Sequence, residues 1–175
     1  MNSIIKHIFR LVIFLFVQVY ILSNVPLVHH YITPYLYFLF ILWLPFSIRR
    51  WHLLIIGFSF GMLTDYFLHT PGLHAAPCAL IAYLRPFLLN IFIAKDSTEQ
   101  SFTEPSVRSM GWGPYSFYIG ILTFLHHAYL VFIEWMQFGT FGYFILKVLA
   151  TTVLSLVMIF ITEMLFSRKT KSRLT

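Results

Sequence analysis

The chain has 175 residues, of which 59% are hydrophobic and 10% charged, with 20 Phe, 10 Tyr and a formal net charge of +6. A soluble domain of this length needs a polar coat that such a composition does not supply, so a soluble globule is excluded and lipid is the fitting solvent. The single cysteine, Cys78, excludes an internal disulfide and thiol-pair redox chemistry, and reads as a small apolar packing residue.

Length sets one domain, and hydropathy divides it into six apolar segments, predicted as an all-α membrane bundle. The first is predicted over 7–22, with Lys6 just ahead of it, Arg10 near its start and Gln18 its polar interruption. Its charge-then-apolar order is like that of a signal peptide. No small-residue cleavage site follows and further spans do, so a retained helix is expected. Pro26 and Pro34 mark a loop and a restart. The second segment, 31–46, is centred on YLYFLFILWLPF, twelve strongly apolar residues. That is short of the ~20 residues a straight crossing needs, and it is the weakest span.

A short basic turn with Arg49 and Arg50 leads to a third helix over 52–68. The turn HTPG follows, then a fourth helix over 74–93. Pro77 falls in its first turn, where a missing N–H is harmless, and Pro86 falls inside, where it strips the Ala82 carbonyl of its helical donor and predicts a kink. The polar stretch 94–113 is predicted as a flexible cytoplasmic loop. The fifth and sixth helices are predicted over 114–137 and 141–166, and a basic tail, 167–175, closes the chain.

With the N-terminus inside and six crossings, ten of the twelve Lys and Arg residues fall on the inner side; Arg85 and Lys147 lie within helices. This obeys the positive-inside rule and places both termini in the cytoplasm. The basic groups then lie against anionic membrane lipid, and nucleic acid is not implied.

Ionisable groups inside a bilayer are expensive, so each needs a partner. Gly57 and Gly61 form a small-xxx-small pair, read as packing for a partner's helix or for a helix of the same chain. Asp65 and His74 are expected as neighbours across Pro71 and Gly72, with Asp65 either capping the fourth helix or binding a substrate or partner. Arg85 lies about 16 Å into the fourth helix, read as a side chain that snorkels to the inner surface, as an internal donor to carbonyls loosened by Pro86, or as a ligand or partner contact. Glu134 and Lys147 match in depth and are expected as an interhelical ion pair, and Glu163 is expected near the inner interface. His126 and His127 point about 100° apart on one helix, so they do not share a metal from one face. No HExxH, CxxC, nucleophile elbow or phosphate loop is visible, so no catalytic, metal or cofactor residue is assigned.

The series Gly57, Gly61, Asp65, then Pro71-Gly72, His74, then Ala82-Tyr83-Leu84-Arg85-Pro86 resembles the rod shape-determining MreD family of bacteria, and the likeness extends over the whole chain. The resemblance implies a non-enzymatic subunit of the cell-wall elongation machinery in the bacterial cytoplasmic membrane. It would bind the transmembrane helix of MreC and link the MreB cytoskeleton to peptidoglycan synthases including RodA. It also implies a six-helix fold similar to the substrate-capturing subunits of energy-coupling-factor transporters, with an outward hollow. The alternative is a capture subunit for a small, vitamin-like molecule. The outer helix halves, rich in Phe, Leu, Ile and Tyr, favour the scaffold, since a capture site needs convergent polar groups.

Overall fold

A computed structural model describes residues 3–24, 33–93, 102–138 and 140–166. Helix α1, Ser3–Phe16, continues through a wider π-helical stretch to Leu22; α2 is one turn, Leu39–Leu42. The hairpin α3, Arg50–Leu68, and α4, Ala75–Phe92, follows, then the short α5, Val107–Met110. Helices α6, Trp112–Phe138, and α7, Phe141–Leu165, complete the element order. Among the described residues five helices are long and apolar enough to cross a membrane, from α1 with its π extension to α3, α4, α6 and α7. The fold is that of an all-α, multi-pass membrane protein.

Helix α3 ends where His69 takes the left-handed conformation at φ 57°, and Gly72 at φ 82° completes the reversal into α4. A β-carbon on Gly61 would lie 2.5 Å from Ala75 Cα, and one on Gly57 would lie 2.7 Å from Ala82 Cβ. The glycines therefore set how closely α3 meets α4, and of the two readings of this pair the structure shows packing against a helix of the same chain. Helix α4 runs on through Pro86 to Phe92.

The helical form predicted for the second segment, 31–46, needs correction over its described part. From residue 33 onward it contains only the single turn α2, while every residue from Tyr35 to Leu44 is buried. Pro34 and Pro45 bracket it. It threads the bundle interior from Ser155 on α7, whose Oγ accepts the Tyr35 N–H at 3.1 Å, to Thr103, whose carbonyl accepts the Phe46 N–H at 3.0 Å. Its apolar character reflects contact with protein on all sides. Irregular backbone at membrane depth is tolerated only in such surroundings, where side chains bond it. The start of this segment near Tyr31 lies outside the described residues, as do Lys95 and the basic tail 167–175.

The starts of α1, α3 and α6 and the ends of α4 and α7 gather at one end of the bundle. Arg50 stands 4.9 Å over the Phe87 ring, Phe92 stacks on Phe117 at 6.1 Å, and Trp43 meets Phe166 at 6.3 Å. The predicted loop 94–113 is not a free surface loop where it is described. Glu104, Pro105 and Ser106 are buried in this end, and Ser106 and Ser109 close a reciprocal cap on α5. Glu104 accepts from Lys6 at 2.7 Å and Arg10 at 2.6 Å, which fastens the segment to α1.

Candidate functional site

The interior polar groups form several small clusters around the Tyr35–Leu44 segment and the α3–α4 turn. Asp65, buried at the end of α3, accepts the N–H groups of Gly72, His74 and Ala75 at 3.1, 2.9 and 2.9 Å. It also accepts from Thr70 Oγ1 and from His74 Nδ1, each at 3.1 Å. A carboxylate on the unsatisfied N–H groups of a helix start supplies acceptors and complements the dipole, so Asp65 is the cap of α4 delivered from the preceding helix.

Arg85 is 1% exposed. Its Nη2 donates to the Leu44 carbonyl, and its Nε to Tyr118 Oη at 3.1 Å and, more weakly, to the Leu42 carbonyl at 3.4 Å. Tyr118 in turn donates to the Leu42 carbonyl at 2.9 Å. The carbonyls that Arg85 serves belong to the segment around α2. The sequence-based expectation placed them at the Pro86 kink.

On the other side of the segment, Gln18 donates to the Pro34 carbonyl at 3.3 Å and accepts the Leu36 N–H at 2.9 Å. Ser155 accepts the Tyr35 N–H, and His127 meets Ser155 Oγ through Nε2 at 3.0 Å and the Thr123 carbonyl through Nδ1 at 2.7 Å. A carbonyl only accepts, so Nδ1 carries the proton, and in the neutral ring Nε2 is the acceptor for the Ser155 hydroxyl. Tyr37 bonds His126 Nε2 at 2.9 Å, and the Phe38 ring stacks on His126 at 4.3 Å. The two histidines thus diverge into separate packing roles. Among the described residues no group of three or more His, Cys, Asp or Glu is placed to hold a metal.

A second chain of bonds closes the basic end: Trp43 Nε1 donates to Tyr115 Oη at 2.9 Å, and Tyr115 donates to Glu163 at 2.8 Å. Glu163 also accepts the Val107 N–H at 3.2 Å and is buried near the end of α7. The structure brings Glu134 and Lys147 together at 2.5 Å, with the Lys147 ammonium 5.7 Å from the Tyr143 ring. Hydrogen bonds and the nearby charges of Lys6 and Arg10 outweigh the effect of burial on Glu104, so its carboxyl titrates below the ordinary value of 4.5.

Sequence reasoning singled out Asp65, His74 and Arg85 but missed most of what they act with. Gln18 was visible as the polar residue of its helix. Tyr118, Tyr115 and Ser155 gave no signal, since such residues are ordinary in apolar helices. Comparison with protein-family models, curated proteins and solved structures finds no match.

Proposed function

We propose that this chain is a non-enzymatic scaffold of a bacterial cytoplasmic membrane, acting in cell-wall elongation in the manner of the MreD family. The observation that supports the reading is where the interior polar groups point. Asp65, Arg85, Gln18, Tyr118 and Ser155 all bond backbone of the same chain, which fixes an internal segment and a helix start. Groups arranged in this way hold a shape. On this reading the basic end faces the cytoplasm. Residues 35–46 make their crossing inside the bundle as the second of six, as in the capture-subunit fold, and both termini are cytoplasmic.

Because α4 occupies the glycine face of α3, the partner helix of MreC is assigned to the exposed face that carries Ile55, Phe58, Met62 and Tyr66. Cysteines at Met62 and Tyr66 should crosslink to the MreC transmembrane helix in membranes, tagged protein should co-isolate MreC, and depletion should round the cells. Rods that persist after complete loss of the chain, with no MreC recovered, would overturn the proposal.

A further inference from the structure

Lys6 and Arg10 face Glu104, Lys147 faces Glu134, and Arg85 is buried against carbonyls. Arg49 and Arg50, consecutive at the start of α3, have no such counterpart. Both are exposed, and among the described residues no carboxylate lies within ion-pair distance of either. Arg50 is nonetheless held in place. Its guanidinium stands 4.9 Å over the Phe87 ring near the end of α4, and Phe87 packs at 5.5 Å on Tyr83, one turn back along that helix. A guanidinium stacked on an aromatic face keeps its in-plane N–H groups for an acceptor. The neighbouring Trp51 is 77% exposed, in keeping with the lipid–water boundary, while Phe87 and Tyr83, 40% and 58% exposed, form a stripe that leads from Arg50 toward the middle of the bundle.

Two cations without a carboxylate, placed where headgroups lie, call for an anion from the membrane itself. A guanidinium engages phosphate oxygens in a two-pronged geometry. A headgroup whose phosphate is its only charge gains from both arginines. A headgroup with a tethered ammonium brings a cation beside them, and that repulsion offsets part of the gain. We propose that Arg49 and Arg50 form a binding site for an anionic phospholipid of the phosphatidylglycerol kind, with its phosphate on the two guanidinium groups and an acyl chain along Phe87 and Tyr83. The stacked Arg50 and its apolar stripe set this site apart from the diffuse attraction that any basic segment exerts on an anionic leaflet. The inference needs only a membrane-spanning chain and is independent of the scaffold reading.

The test is native mass spectrometry of the full-length protein in a neutral detergent, offered equal amounts of phosphatidylglycerol, phosphatidylethanolamine and phosphatidylcholine with identical acyl chains. The wild type should retain phosphatidylglycerol in preference to the other two. Arg49→Gln with Arg50→Gln alters exposed side chains only and should lower that preference about tenfold. Phe87→Leu leaves every charge in place but removes the ring beneath Arg50, and should lower it about threefold. Lys169→Gln with Lys171→Gln removes the same formal charge from the basic tail and should leave the preference unchanged. Equal retention of the three headgroups by the wild type would overturn the proposal, as would a preference that survives loss of both arginines or of the Phe87 ring. An equal fall in the two double variants would overturn it too, because net charge alone would then account for the binding.

Discussion

Replacing Arg85 with methionine separates the two effects that a buried arginine brings. Methionine roughly keeps the volume of the side chain while removing the charge and every donor. The Leu44 carbonyl then loses its donor in a dry interior, at about 1–3 kcal/mol for an unsatisfied buried acceptor. The Leu42 carbonyl keeps Tyr118, so its loss is smaller, about 1 kcal/mol. Against this stands relief from burying a cation, which reaches several kcal/mol where a charge is poorly compensated. No carboxylate among the described residues lies within ion-pair distance of Arg85, yet carbonyls and a hydroxyl surround it. Because the Tyr35–Leu44 segment is mostly non-helical and relies on side chains for much of its bonding, loss of donors should dominate. Arg85→Met should destabilise by about 2–4 kcal/mol, and Arg85→Lys, which keeps a charge and shorter-reaching donors, by about half as much. Thermal unfolding in mild detergent, followed by tryptophan fluorescence, measures both. A methionine variant as stable as the wild type, or more so, would refute the reasoning, because the segment would then be held without Arg85.

Gly61→Ala drives a methyl against the Ala75 backbone and should cost about 1–3 kcal/mol, whereas Gly120→Ala meets nothing within 4 Å and should be neutral or stabilising. Equal unfolding temperatures for the two would contradict the close α3–α4 contact. Asp65→Asn replaces one acceptor oxygen by an amide that faces N–H donors, and should lose about 2–3 kcal/mol; a loss under about 0.5 kcal/mol would remove the capping role. Glu104 has a depressed folded-state value, so the stability it adds is present above its ordinary value of 4.5 and fades as pH falls through the lowered one. Unfolding temperature measured from pH 7 down to about pH 3 should therefore fall more steeply in the wild type than in Glu104→Gln. Parallel curves would show that the clasp to Lys6 and Arg10 contributes nothing.

Local rules located much of this fold. The Pro71-Gly72 turn brings Asp65 to the start of α4, and spacing alone placed them together; the structure adds which N–H groups the carboxylate serves. The Tyr35–Leu44 segment was not legible, because a run packed against protein and a run packed against lipid have the same apolar composition. Its shortness and the bracketing Pro34 and Pro45 were the visible signs. The acceptors of Arg85 went with that misreading: a helical second crossing keeps the Leu42 carbonyl within its own ladder, which left the Pro86 kink as the nearby source. The glycine pair poses the opposite difficulty, since small residues at that spacing look alike whether the approaching helix belongs to the same chain or to another.

The central claim is that Tyr35–Leu44 runs inside the bundle and that the interior polar groups exist to hold it there. Single cysteines at Leu39 and Ile41, both 0% exposed, in a Cys78→Ala background test this against Met62, which is 46% exposed on α3. Treated with a lipid-soluble maleimide in liposomes that hold this protein alone, the Met62 position should label readily, while positions 39 and 41 stay unreactive until the protein is denatured. Labelling of 39 and 41 at the Met62 rate would place the segment against lipid and contradict the account.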